Sequence, residues 1–274
     1  MMGIVACFKL GMLCVVLMTV VEASQADDAE VTSHYKDKLT KMKNLLENGH
    51  CKRVYFDLGS NVGVQIRKLY QPLHFRGAKV LPIFSKYFGH ERKDICAFGF
   101  EPNSIHSATL ENLEERYTAA GYPVVMFTRT AISNSSGIMK FYREPLPDPK
   151  KHEYGSSLFK SQDNMIEETA YVADFAQLLR DTFLKHPDAE RRIVAKMDIE
   201  GAEYDVLPSL LADNLICLFD VVMMEYHPGK GFSREFPLAY KNKLQRMAGC
   251  ATVMVQLDDE TYNEGGGGVA FPSD

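Results

Sequence analysis

One stretch constrains the fold more than any other: Val54 to Gly63, which reads Val-Tyr-Phe-Asp-Leu-Gly-Ser-Asn-Val-Gly. A short apolar, β-prone run stops at an acid, Asp57. A turn with Gly59 follows, and Gly63 lies inside a helical stretch running through Gln65, Ile66, Arg67 and Leu69. Strand, glycine turn and helix form the first unit of a nucleotide-binding α/β fold. A glycine at position 59 lets backbone approach a ligand with no side chain in the way. The helix start behind it offers unpaired N–H groups. Spacing excludes two common sites. A dinucleotide loop needs G-x-G-x-x-G and a phosphate loop needs G-x-x-x-x-G-K-[ST], and Gly59-Ser-Asn-Val-Gly63 is neither. Asp57 would repel a pyrophosphate, so the turn suits a cationic ligand or one with an amino group. The plainer reading is a strand-turn-helix with a structural glycine.

Composition sets the outer limits. With 274 residues, 46% of them hydrophobic and 24% charged, the chain holds one sizeable α/β domain. A formal charge of −5 leaves no basic footprint for nucleic acid. Residues 1–23 differ in kind. Gly3 to Val21 is apolar apart from Lys9, with an uninterrupted core from Leu10 to Val21. That core fits a signal peptide better than a membrane span, which needs roughly 20 residues. Cleavage is expected near Ala23 or Ala26. The rival is an uncleaved anchor, which would tie the protein to a membrane. Either places the folded part on the lumenal or extracellular side, secreted or retained. Four cysteines then remain: Cys51, Cys96, Cys217 and Cys250. Two bridges have three possible connectivities. Each cysteine lies close before an expected strand, and adjacency of those strands favours 51–96 with 217–250; four buried thiols are the alternative.

The body divides into 24–50, a linker at Gln25 to Val31 followed by a helix, and 51–274, the main α/β domain. The N-terminal helix is expected at Thr32 to Asn48, with Tyr35, Leu39, Met42, Leu45 and Leu46 at helical spacing. An insertion from Gln71 to Asp94 carries a short helix near Leu81 to Phe88, its aromatics forming a satellite cluster. Strands are expected at Ile95 to Phe100, Val124 to Thr128, Ile138 to Arg143, Ile193 to Met197, Val221 to Met224 and Ala251 to Leu257. Val269 to Phe271 reads as a short last one. Tyr171 to Leu184 reads as an amphipathic helix. Asn134-Ser135-Ser136 is a glycosylation sequon in a turn. Gly155 to Leu158 lies in a long loop suited to substrate contacts.

Chemistry concentrates where strands end. Glu101-Pro-Asn103 follows the second strand, where an acid can accept both hydroxyls of a ribose. Thr130 to Ser133, with Ala131, would lie at the adenine edge. Asp198 and Glu200 follow the strand at Ile193, and either can position an acceptor hydroxyl or take its proton. Two close carboxylates can also hold a metal, but the sequence shows no third ligand beside them, so no metal is expected. The bland alternative is that they cap the helix that follows. Glu225-Tyr-His227 follows the next strand, and His227 is a candidate general base.

The segment Lys-Met-Asp-Ile-Glu-Gly-Ala-Glu-Tyr-Asp-Val-Leu, ending at Leu207, resembles the K-x-D-x-E-G-x-E-x-x-x-L hallmark of the FkbM family of S-adenosylmethionine-dependent methyltransferases. Phe-Asp-Leu-Gly-Ser-Asn-Val-Gly and Phe-Glu-Pro-Asn resemble that family's first two motifs. The likeness runs from about Val54 to Glu225. It implies a Rossmann-like, doubly wound, mostly parallel sheet of about seven strands flanked by helices. It also implies S-adenosylmethionine as cofactor and O-methylation of a small-molecule or glycan acceptor. By position, Asp57, Gly59, Asn61 and Gly63 would line the methionine and ribose end of the cofactor. Glu101 would bind the ribose, with Asn103 and Ala131 toward the base. Asp198 would face both ligands, and Asp198, Glu200 and His227 would be catalytic. The rival is a secreted protein that keeps the fold without turnover.

Overall fold

The apolar runs assemble as strands, and period-two alternation gives each strand two buried faces. The computed structural model describes residues 7–49, 51–143, 165–188, 190–227, 236–247, 249–259 and 261. Its strands are β1 (Arg53–Leu58), β2 (Ile95–Glu101), β3 (Val124–Thr128), β4 (Thr130–Ser133), β5 (Gly137–Arg143), β6 (Ile166–Asp174), β7 (Arg192–Met197), β8 (Val221–Met224) and β9 (Val253–Gln256). Six of them form one sheet in the order β3-β2-β1-β7-β8-β9, and every pairing in it is parallel. About seven strands were expected. Six are found among the described residues, and the expected strand at Val269 to Phe271 lies outside them. The order reverses between β1 and β7, so the crevice of this doubly wound fold opens there.

The helices are α1 (Cys7–Glu47), α2 (Val64–Tyr70), α3 (Leu81–Phe88), α4 (Ser107–Ala119), α5 (Phe175–Leu179), α6 (Glu203–Ala212) and α7 (Phe236–Gln245). Val54, Phe56 and Leu58 of β1 face a cluster built from α1, α5 and α6. Tyr55 faces the opposite cluster, built from α2, α3 and α4. By the same alternation Asp57, Lys196 and Glu225 fall on the Tyr55 side. The aromatics of the 71–94 insertion are not a satellite: Phe75, Phe84 and Phe88 are buried in the main core of that face.

Three further expectations change. Residues 25–31 are not a linker but part of the continuous α1. Val31 is buried there, and Asp27 pairs with Arg129 at 2.5 Å. Val31, Tyr35, Met42 and Leu46 form the buried stripe, and Lys38 and Lys41 clamp Glu114 at 2.8 and 2.6 Å. Among the described residues no helix is long and apolar enough to cross a membrane. Tyr171 to Asp174 is the end of β6 rather than helix. Asp174 caps α5 by accepting the Gln177 N–H at 2.9 Å, so the helix starts where its cap allows. Thr130 to Ser133 is a paired strand, with Ala131 opposite Val172 in a second sheet of order β4-β6-β5.

The expected cysteine pairing forms. Cys51–Cys96 ties the entrance of β1 to β2 across 5.4 Å between Cα atoms, and Cys217–Cys250 ties the segments before β8 and β9 across 5.0 Å. The loop with Gly155 to Leu158 and the run from Gly265 to Gly268 lie outside the described residues.

Candidate active site

Parallel register brings four strand ends level, and each ends in acid. Asp57 is the penultimate residue of β1, Glu101 closes β2, Asp198 follows β7 and Glu225 follows β8. The ladder continues past the strands: Asp198 N–H donates to Leu58 O at 2.9 Å, and Glu225 N–H to Met197 O at 3.0 Å.

The glycine turn does a different job from the one its sequence advertises. Gly59 has φ +85°, and a Cβ there would sit 1.8 Å from the Asp198 carbonyl oxygen. The missing side chain therefore admits the β7 turn. At Gly63, φ +77°, a Cβ would strike Leu113 of α4 at 2.6 Å, so that glycine serves helix packing. Most N–H groups of the turn itself are engaged. Gly59 and Ser60 both donate to Phe100 O, Gly63 donates to Ser60 O, and Asn61 donates to Glu101 Oε2 at 2.7 Å. What the turn offers to a ligand is carboxylate. Asp57 is fully buried, and its Oδ2 has no hydrogen-bond partner among the described residues. Burial pushes its pKa up to about 6, against the pull of Lys196 and the Tyr55 hydroxyl.

Glu101 is buried beside it. Burial raises it to about 8, although Asn103 N–H and Asn61 N–H donate to its two oxygens at 2.8 and 2.7 Å. Asn103 also caps the turn after β2, its side chain accepting the Ile105 N–H at 3.2 Å. Ala131 is buried in β4, which packs near β2. A polar cavity of about 460 Å³ opens beyond Ser104, lined by Asp27, Arg129, Lys140 and Glu168 among others. It shares no residue with the acids at β7 and β8.

Asp198, Glu200 and His227 are brought together. His227 Nε2 lies 3.5 Å from Asp198 Oδ1, 3.6 Å from Glu200 Oε1 and 3.8 Å from Glu225 Oε1. The third donor absent beside the two carboxylates in sequence thus arrives from β8. The loop between Asp198 and α6 is tightly wound, with Glu200 at φ +55° and Gly201 at φ +104°. Glu203 holds it. This fully buried acid accepts Ile199 N–H at 2.9 Å and Gly201 N–H at 2.8 Å, and it lies 3.1 Å from His227 Nδ1. Glu203 thus braces the loop before α6, whose N-cap, Ala202, makes no side-chain cap hydrogen bond.

Lys196 is buried and donates to Asp198 Oδ2 at 2.5 Å. Burial alone would lower its pKa, but Asp198, Asp57 and Glu225 hold it above the usual lysine value. Burial would likewise lower His227. The hydrogen bond it donates to Glu203 and the charges of Glu200, Glu203 and Asp198 instead raise it to about 9, so at neutral pH it is an imidazolium rather than a base. Glu225 is pushed up to about 7 by burial and then by Asp198, and its Oε2 is buried with no partner among the described residues.

The sequence model of the Methyltransferase FkbM domain matches residues 74–249, which is more than half of the chain. The chain belongs to the FkbM family. No curated protein and no solved structure matches it. At the level of the family it is an S-adenosylmethionine-dependent methyltransferase. The match includes β2, β7 and β8 with their acids, while β1 and its turn precede it.

The residues of this FkbM domain suit that cofactor. An unpaired, fully buried carboxylate oxygen at Asp57 and an excess of acids at four strand ends match a ligand with ammonium and sulfonium charges. Reasoning from sequence missed Lys196 and Glu203 as parts of the site, though they were visible as the hallmark's first lysine and last glutamate. It named Glu225 as a strand-end acid but gave it no role.

Proposed function

We propose that the protein transfers a methyl group from S-adenosylmethionine to a hydroxyl oxygen of a small-molecule or glycan acceptor. The observation that carries this reading is the convergence of Asp198, Glu200 and His227 where the strand order reverses, against the β1 turn. Methyl transfer from a sulfonium is an in-line displacement, so most of its acceleration comes from holding donor and acceptor in line. The cofactor supplies the electrophilic methyl group. Asp57, Asn61 and the Gly59 to Gly63 turn would hold its methionine and ribose end, and Glu101 would accept from the ribose hydroxyls. Asn103 and the β4 backbone at Ala131 would flank the base. Asp198, which accepts from Lys196, orients the acceptor. Glu200 is the base in this reading, since its side chain is 34% exposed and reaches an incoming hydroxyl. His227 holds the carboxylates of Asp198, Glu200 and Glu225 together.

The apolar leader and two disulfides support action on the lumenal or extracellular side. Membrane attachment follows only if the leader is uncleaved. Asn134 lies exposed in its turn, where a glycan can be added.

The test is calorimetric titration of the full chain with S-adenosylhomocysteine. Micromolar binding is expected, weakened at least tenfold in Asp57→Asn. Labelled methyl transfer to a panel of hydroxyl acceptors should then fall in Glu200→Gln through kcat, with cofactor affinity kept. Folded protein that binds neither S-adenosylhomocysteine nor S-adenosylmethionine would instead favour the binding protein without turnover.

A further inference from the structure

We infer that Asp198, Glu200 and His227 bind a divalent cation, with Mn²⁺ the best match, at the acceptor end of the site. One donor atom from each residue lies within 4.8 Å of the other two. The two distances from His227 Nε2, 3.5 Å to Asp198 Oδ1 and 3.6 Å to Glu200 Oε1, are long for hydrogen bonds. They suit ligands of one ion. Two ligand atoms each about 2.2 Å from an ion are about 3.1 Å apart at an octahedral angle of about 90° and about 3.6 Å apart at about 110°, so both spacings fit one ion with somewhat opened angles.

The orientation of the imidazole is the second observation. A metal-binding histidine usually gives its other ring N–H to a carboxylate. Here the buried Glu203 lies 3.1 Å from Nδ1, and Glu203 is itself fixed by two backbone N–H groups. The ring is therefore held with Nε2 turned to the carboxylates. Glu225 adds a further oxygen 3.8 Å from Nε2, and its second oxygen is buried without a partner among the described residues. Lys196 occupies Oδ2 of Asp198, which leaves Oδ1 as the donor toward the ion.

The imidazole sits among acids, with Asp198, Glu200 and Glu225 on its Nε2 side and Glu203 at Nδ1. Two carboxylates with one imidazole and no thiolate fit Mn²⁺ better than Ca²⁺ or Mg²⁺, which prefer oxygen alone. An ion here would hold the acceptor oxygen and lower the pKa of its hydroxyl, with Glu200 acting as its ligand in place of the base. That role rests on the methyltransferase reading; binding of the ion does not.

The experiment is a Mn²⁺ titration of the full chain after EDTA treatment, followed by loss of the free-ion EPR signal, with no cofactor or acceptor present. One ion per chain is expected, displaced by excess Zn²⁺. Affinity should fall at least tenfold in Glu200→Gln and in His227→Gln with far-UV circular dichroism unchanged. No saturable binding by folded protein, or full affinity in both variants, overturns the inference. S-adenosylhomocysteine binding in EDTA separates the two readings. If it persists while Mn²⁺ fails to bind, only the cation site falls. If Mn²⁺ binds and S-adenosylhomocysteine does not, the cation site stands and the methyltransferase reading fails.

Discussion

Replacing Glu101 with glutamine should change how stability depends on pH. The carboxyl group is buried, and two forces act on it. Two backbone N–H donors at 2.7 and 2.8 Å favour the charged form, while burial and the charges of Asp198 and Asp57 oppose it. Burial wins, and the pKa rises from 4.5 to about 8. An acid raised by folding binds its proton more tightly in the fold than in the open chain. Stability is therefore lost as pH climbs from the unfolded pKa toward the folded one. Linkage puts the loss from this group at about 2 kcal/mol between about pH 6 and about pH 8. Asp57, Glu225 and His227, whose pKa values folding also raises, add to the slope, so the informative quantity is the difference between wild type and Glu101→Gln. Glutamine offers one carbonyl oxygen where two N–H groups need acceptors, which costs about 1–3 kcal/mol at any pH. The difference in unfolding free energy, from urea titrations followed by circular dichroism, should therefore shift in favour of the variant by about 2 kcal/mol across that range. A difference independent of pH would refute the reasoning, because it would mean that the N–H donors keep Glu101 ionised.

Gly59→Ala should destabilise the protein by about 3 kcal/mol or more, since the new Cβ meets the Asp198 carbonyl at 1.8 Å in a left-handed backbone. Urea denaturation of the variant measures this, and wild-type stability would show that the β7 turn can yield. Cys217→Ser with Cys250→Ser opens a bridge spanning 33 residues, for which loop entropy predicts a loss of about 4 kcal/mol; Cys51→Ser with Cys96→Ser opens one spanning 45 and should lose as much. Thermal unfolding of the two double variants checks this, and an unchanged midpoint in either would count against that bridge.

Much was determined by sequence alone, because it is encoded locally. Period-two apolar runs located β1, β2, β3, β7 and β8, and their terminal acids marked the end of the sheet where the site lies. The hallmark from Lys196 to Leu207 pointed to the family that the domain match establishes. The cysteine pairing followed from which strands are neighbours. Tertiary structure decided what each residue does. Gly59 and Gly63 look like ligand glycines in sequence, yet the atoms their Cβ would meet belong to Asp198 and Leu113, far along the chain. Asp57 and Glu101 are perturbed because other segments bury them, and His227 finds its acids only when β7 and β8 lie in register. Helical periodicity located the second half of α1, but not that residues 25–31 continue it, since their anchors, Arg129 and the core around Val31, come from elsewhere. Local pattern fixes where a strand ends and which side chain it ends on. Burial, charge and contact at that end are sums over segments distant in sequence, and only packing brings those together.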